Sequence, residues 1–277
     1  MTTAPTTTPK PRRRWLQFSL RTVMVLVLVL GAGFGWLSHQ VDRARAQRNA
    51  VQAIEKLGGV VFFEQDASGN EMRTGAVWLG KLVREDLFVN VMEVQFRDPS
   101  LTDAGLPHLC RLRELRSLAL WDARVTDDGL GHLEALTQLR ELDLMRTSVG
   151  DTGLLHLRGL AELRTLVLAN TKVTDAGLVY LRGMAQLQSL DLYDTRVTDT
   201  GLVHLRGLSQ LRELDLGHTQ VTDAGLVHLR GLSHLGSLEL ADTSVTQAGA
   251  EELQKSLPFL RIQLCHPSHE FGGGRSP

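Results

Sequence analysis

Val221–Ser244 reads VTDAGLVHLRGLSHLGSLELADTS, and this 24-residue unit recurs seven times without a gap from Leu101 to Ser268. Its first position is Leu101, Val125, Val149, Val173, Val197, Val221 and Val245. The fifth is glycine in every copy, from Gly105 to Gly249, and the ninth is leucine, from Leu109 to Leu253. Positions fifteen, eighteen and twenty are apolar throughout, as in Leu211, Leu214 and Leu216. A fixed period of this length marks a solenoid: one copy has too few apolar side chains to offset the entropy of ordering its own backbone, so successive copies must cover one another.

Two periodicities are joined inside the unit. Leu202, Leu205 and Leu208 are three apart, the spacing of a short α or 3₁₀ helix, whereas Leu214 and Leu216 are two apart, the spacing of a strand. Each copy therefore reads as strand, turn and helix. Thr198 or Asp199 stands where a helix N-cap belongs, and Gly159, Gly183, Gly207 and Gly231 suit a left-handed residue after the helix. Glycine at position five costs about 0.5–1 kcal/mol against alanine inside a helix. Its recurrence in all seven copies points to close approach between stacked backbones.

LRELDLGHTQVTDAGLVHL, Leu211 to Leu229, resembles a leucine-rich repeat, with LxxLxLxxT where many members carry Asn or Cys in place of Thr. Among subtypes it is most similar to the ribonuclease-inhibitor-like and F-box-associated repeats that carry TDxGL. The resemblance implies an α/β fold: a right-handed solenoid with a parallel sheet on its concave side and short helices outside. It also implies that Thr147, Thr171, Thr195, Thr219 and Thr243 hydrogen-bond the turning backbone of adjacent coils, in place of the family's asparagine ladder.

Composition narrows the function classes. The chain has 277 residues, is 43% hydrophobic and carries a net charge of −1, without the basic excess expected of a nucleic-acid binder. Its two cysteines, Cys110 and Cys265, lie in the first and last copies, too far apart for a disulfide in a stacked array. No GxSxG, HExxH, GxxxxGK[ST] or CxxC is present, so no catalytic residue and no cofactor is assigned.

Upstream of the repeats the chain changes character. Residues 1–14 are Thr-, Pro- and Arg-rich and read as a disordered basic tail. Thr22 to Leu37 is uncharged; counted from Leu16, with Arg21 reaching toward headgroups, the run is 22 residues, about 33 Å as a helix. With Trp15 and Trp36 at its ends, residues 15–37 read as a transmembrane signal anchor. Lys10, Arg12, Arg13, Arg14 and Arg21 precede it against Arg43, Arg45 and Arg48 after it, which orients the N-terminus to the cytoplasm and the repeats outside, in the periplasm or cell envelope. A cleaved signal peptide is the rival reading, with poor cleavage sites around Gly31–Gly33 and Ala44–Ala46.

Residues 38–59 read as a juxtamembrane helix stopped by Gly58-Gly59, and 60–100 as an N-terminal cap. Within the cap, Val60–Phe63 forms a strand, Ser68-Gly69-Asn70 a turn, Leu82 lies on a helix, and Val91, Val94 and Phe96 take the strand leucine positions. RRRWLQFSLRT before an apolar run, followed by IEKLGGVVFF, resembles the front of small bacterial membrane-anchored leucine-rich repeat proteins. Residues 269–277 read as a disordered tail after seven repeats over 101–268.

The candidate site is the concave face. Position nineteen supplies Asp143, Asp191, Asp215 and Glu239; position twenty-one supplies Trp121, Met145 and Tyr193; position twenty-two supplies Arg146, Asp194 and His218. Position sixteen, with Arg116, Arg140, Arg164 and Arg212, reads as a basic column beside the acidic one. Aromatic and charged side chains of this kind dock a protein or peptide partner. Opposite charges on neighbouring strands also pair merely to keep a sheet soluble. Position eight is a histidine column, His108, His132, His156, His204 and His228, without the carboxylate or cysteine that would complete a metal site, so it reads as a solvated outer face and no metal is assigned. The expected function is a non-enzymatic, membrane-anchored protein that binds an unidentified protein or peptide. The alternatives are an adaptor resembling F-box leucine-rich repeat proteins of ubiquitin ligases, whose F-box helices would have to stand where the apolar run is, and a structural envelope component.

Overall fold

The computed structural model describes residues 20–63, 90–96 and 99–264, which fall into two units, Met1–Arg43 and Ala44–Pro277. The expected tails, the Ser68–Asn70 turn, Leu82 and Cys265 lie outside the described residues.

A single helix, α1, runs over Leu20–Lys56, without a break between the two helices read over 15–37 and 38–59. The turn that follows it contains Gly58, whose φ of 81° is the left-handed conformation that glycine adopts without steric cost. Among the described residues no helix is long and apolar enough to cross a membrane. Residues 15–19 of the expected span, and the side chains of residues 20–23, 25, 26, 30 and 34, lie outside the described part of the chain. In the second unit Ala44, Ala50 and Ile54 of α1 are buried, and Ala50 and Ile54 join the core of the repeats.

The second unit is built on one nine-stranded sheet in chain order. Its strands are β1 (Gly59–Phe63), β2 (Val91–Phe96), β3 (Ser117–Ala119), β4 (Glu141–Asp143), β5 (Thr165–Val167), β6 (Ser189–Asp191), β7 (Glu213–Asp215), β8 (Ser237–Glu239) and β9 (Arg261–Gln263). The pair β1–β2 is antiparallel and every later pair is parallel. Register advances one whole copy per strand, so Leu118, Leu142, Leu166, Leu190, Leu214, Leu238 and Ile262 face one another in turn. Val94 extends that row into β2 and Phe96 is buried beside it, as the phase of the repeat predicts. The leucines of both periodicities meet in one continuous core.

What joins coil to coil is the TDxG stretch. Thr198 is the N-cap of the helix that begins at Asp199, and its hydroxyl accepts from the N–H of Thr200. Asp175, 23 residues earlier, accepts from the Thr198 N–H at 2.7 Å and from its hydroxyl at 2.6 Å. The same pair of bonds ties Asp103 to Thr126, Asp151 to Thr174, Asp199 to Thr222 and Asp223 to Thr246. In the third copy, where glycine replaces the threonine, Asp127 takes the N–H of Gly150 at 2.6 Å and the hydroxyl of Thr152.

In the second to seventh copies the glycine follows from this arrangement, whereas Gly105 in the first copy faces Leu101 and Leu57. A Cβ on Gly153 would lie 2.7 Å from the Asp127 carboxylate, and on Gly129, Gly177, Gly201, Gly225 and Gly249 closer still to the aspartate of the preceding coil. The close approach expected at position five is therefore to a side chain rather than to backbone. Burial raises the Asp175 carboxyl, but the bonds from Thr198, Thr200 and Gly201 outweigh it and hold the group below the usual carboxylate range.

Two expectations are corrected. Thr147, Thr171, Thr195, Thr219 and Thr243 each donate to the carbonyl three residues back in their own coil, as Thr195 does to Leu192 at 2.7 Å, not to an adjacent coil. The threonine hydroxyl is too short to reach the next strand, and it satisfies a turn carbonyl locally. Among the described glycines only Gly58 has a positive φ, so Gly159, Gly183, Gly207 and Gly231 are not left-handed caps. The left-handed residues are at position twenty-two: Asp122, Arg146, Asn170, Asp194, His218 and Asp242, with φ between 50° and 60°.

Replacing Gly201 by Ala is expected to destabilise the chain by roughly 1–3 kcal/mol through overpacking against Asp175. In an Asp175→Ala background the same change should cost at least about 0.5 kcal/mol less, the coupling that contacting residues show. Urea unfolding of the three variants and the unsubstituted chain measures this, and strictly additive effects would refute the contact as the reason for the glycine.

Candidate partner-binding face

Alternation along each strand sends position eighteen into the core and positions seventeen and nineteen to the opposite, open face. Parallel register then lines each position up in a column. Asp143, Val167, Asp191, Asp215 and Glu239 form one column across β4–β8, half-buried among their neighbours. Ser117, Glu141, Thr165, Ser189, Glu213 and Ser237 form the other. This second column was not read from the sequence, although the two-residue period beside Leu214 and Leu216 contains it. The arginine column expected at position sixteen is one residue out of phase. Arg116, Arg140, Arg164 and Arg212 precede the strands, and their carbonyls accept two N–H groups from the next coil, as Arg140 does from Arg164 and Thr165 at 2.7 and 2.9 Å.

The remaining expected residues lie just past the strand ends. Asp143, Asp191 and Asp215 accept from the backbone N–H two residues on, at Met145, Tyr193 and Gly217, and so pin position twenty-one. Trp121, Met145 and Tyr193 are half-buried there. Arg146, Asp194 and His218 occupy the left-handed turn that follows. Arg146 pairs with Asp122 at 3.7 Å and His218 lies 4.0 Å from Asp194, with the Tyr193 and His218 rings 6.1 Å apart. Asn170, Asp194, His218 and Asp242 border a shallow polar groove of about 540 Å³. The ten expected residues thus divide into four on the strands, three beside them and three on a ridge of turns. The signal for the ridge was in the sequence: Asp and Asn fill four of its six places, and they tolerate a positive φ better than other L-residues.

The histidine column is occupied by a different contact. Position ten of one coil reaches position eight of the next: Glu134 meets His156 at 2.7 Å, Arg182 meets His204 at 2.6 Å, Arg206 meets His228, and Arg230 meets Glu252. Burial first, then the adjacent arginine, pushes His204 and His228 below the usual imidazole range, which favours the neutral ring that accepts from arginine. Among the described residues no group of three His, Cys, Asp or Glu could hold a metal ion. Cys110 is a free thiol.

Two family models, each described as a leucine-rich repeat, match residues 161–221 and 135–157. No curated protein matches the chain. Among solved structures, internalin C2 from Listeria monocytogenes is similar at 29% identity with a TM-score of 0.50, over 64% of this chain and 75% of that one. The leucine-rich repeat ectodomain of the plant membrane receptor kinase GASSHO1/SCHENGEN3 from Arabidopsis thaliana, in complex with Casparian strip integrity factor 2, matches at 21% identity with a TM-score of 0.41, over 57% of this chain and 19% of that one. The protein therefore carries a leucine-rich repeat solenoid of the α/β class with a parallel sheet. Domains of this type commonly serve as protein-binding scaffolds.

Burial raises the carboxyls of Asp143 and Asp191, and at Asp191 the charges of Asp215 and Asp143 add to it. Their ionised forms therefore oppose folding at neutral pH. A raised carboxyl binds its proton more readily folded than unfolded, so the penalty is full above the folded pKa and relieved as pH falls through it. Asp191→Asn is expected to raise the melting temperature at pH 7, with a gain that shrinks toward pH 4. A lower melting temperature at pH 7, or a gain that does not change with pH, would overturn this account.

Proposed function

We propose that the chain is a non-catalytic docking protein whose open sheet face binds a protein or peptide partner. The observation that carries this is the in-register sheet, which holds Asp143, Asp191, Asp215 and Glu239 in one column with Met145 and Tyr193 pinned beside it. A surface held by backbone ladders is already ordered before a partner arrives, so little entropy is lost on docking. Charge then selects the partner more than it adds raw affinity.

The same proposal includes a membrane anchor over residues 15–37, with the repeats outside the cytoplasm. Its support is the uncharged run Thr22–Leu37, the flanking Trp15 and Trp36, and the excess of basic residues before it. The resemblance to membrane-anchored and ribonuclease-inhibitor-like repeats belongs to this reading. Nothing favours the ubiquitin-ligase adaptor or the purely structural envelope component over it.

Topology labelling of single-cysteine variants before and after residues 15–37 is expected to place the repeats outside, on membranes that resist alkaline extraction. Photocrosslinkers at positions 143, 193 and 215 of the full chain should capture one dominant partner, lost on Trp121→Ala or Tyr193→Ala. Extraction of the chain into the soluble fraction would overturn the anchor. Equal capture from crosslinkers on the outer helices would overturn the docking face.

A further inference from the structure

The outer side of the solenoid carries a second surface, confined to the middle copies. Position ten is Arg158, Arg182, Arg206 and Arg230 in the third to sixth copies, and all four are exposed. Arg182 and Arg206 each meet an imidazole of the next coil, His204 and His228, whose rings are held below their usual range by burial and then by the arginine itself. These contacts satisfy a donor without bringing an opposite charge. Arg230 pairs with Glu252 at 3.4 Å, with both side chains about half exposed, and an exposed pair of this kind holds weakly. The aspartates nearest the histidines, Asp175 and Asp199, stand in the first helical turn, where Thr198 and Thr222 already bond their carboxylates. Each lies seven residues before the arginine of its own copy, about 10 Å along a helix and a full screening length away at ordinary salt.

Beside the arginines runs an apolar row at position seven: Leu155, Val179 and Val203, half-buried, and Val227, 45% exposed. Position eleven in the same four copies is Gly159, Gly183, Gly207 and Gly231. A Cβ there would meet nothing within 4 Å, except the Arg182 carbonyl oxygen at 3.7 Å from Gly207, and none of the four has a positive φ. Arg111 and Ala135 hold the same place in the first two copies, so the turn accepts a side chain. The chain's own packing therefore does not call for glycine at position eleven. A side chain left out at an exposed place lets another molecule approach the backbone closely. The strip is bounded by acid, with Glu134 at position ten of the second copy and Glu251 at position seven of the last.

We propose that this strip docks an acidic amphipathic helix of a partner protein, lying along the stack with one carboxylate per turn over each arginine and its apolar side chains over the valines and glycines. The arginine row carries the proposal, because a guanidinium fork pairs best with a carboxylate and these four have no equal row of opposite charge beside them. Spacing selects a helix: coils follow one another at about 4.8 Å, close to the 5.4 Å of a helical turn, whereas alternate residues of an extended chain are nearly 7 Å apart. The glycines make the strip a recess that receives side chains, while a bilayer surface is gripped by large apolar groups that project. This face is separate from the open sheet face and adds to the docking reading without depending on it.

The test uses the full chain in zwitterionic detergent micelles and fluorescence anisotropy of a labelled helical peptide of about sixteen residues, with glutamate once per turn beside leucine and alanine elsewhere. Control peptides replace the glutamates by lysines or carry a central proline that breaks the helix. The glutamate peptide is expected to bind, about tenfold or more weaker to Arg182→Gln/Arg206→Gln and to Gly183→Gln/Gly231→Gln, and weaker as salt rises. The glycine variant is the sharper of the two, because its new side chains have open space: its melting temperature should stay the same or rise while binding falls. Phenylglyoxal modification read by mass spectrometry should show the bound peptide protecting Arg182 and Arg206 but not the exposed Arg113 of the first copy. Equal binding of the glutamate, lysine and proline peptides, or unchanged binding by either double variant, would overturn the proposal. Loss of binding on Tyr193→Ala would place the peptide on the open face, refuting the outer strip and leaving the reading of that face intact. Protection of the two arginines by phosphatidylglycerol in the micelles, and not by the peptide, would make a lipid surface the occupant and refute it as well.

Discussion

One carboxylate per coil holds the stack in register. An aspartate at the first turn of each helix accepts the N–H and hydroxyl that open the next helix, as Asp175 does from Thr198. Leucine packing alone would bring coils together without fixing how far one is turned against the next, because apolar contact has no direction. The aspartate bonds do have direction, and the glycine at position five leaves room for them. Every later alignment, from the leucine row to the columns on the open face, depends on that repeat-to-repeat geometry.

The chemistry of the two surfaces then differs for a structural reason. On the outer side, position ten of one coil meets position eight of the next, and the side chains satisfy one another as Glu134 and His156 do. On the open side, parallel register puts position nineteen against position nineteen, so a repeated aspartate meets its own copy. Duplication thus gives complementary pairs where the contact is staggered and like-charge rows where it is not. The acidic row follows from exact register, and within it burial raises the carboxyls of Asp143 and Asp191.

Much of this was legible from residues alone. The period of 24, the strand leucines and the helix start at TD are covalent facts of the sequence, and all reappear at the positions expected. Upstream of the repeats, Val94 and Phe96 keep the phase of Leu118 and Leu120. What was misread is three-dimensional. The reach of a threonine hydroxyl decides whether it bonds its own coil or the next, and spacing is silent on that. The left-handed turn was sought at glycine, where it is cheapest, yet it falls at Asp194 and even Arg146, where the sharp exit from the strand imposes it. The arginine column was placed one residue off because position sixteen adjoins the strand without sharing its alternation. Of the candidate site, the acidic column was visible in the sequence. The serine and glutamate column beside it required knowing which strands pair.

The third copy shows how forgiving the connection is. Gly150 stands where the other copies have threonine, and Thr152 supplies the missing hydroxyl to the same carboxylate. A junction that accepts its donor from either of two neighbouring sites lets whole copies be gained or lost as cassettes, each leaving its flanks intact. The open face can then lengthen or shorten by one strand width at a time without redesign of the scaffold.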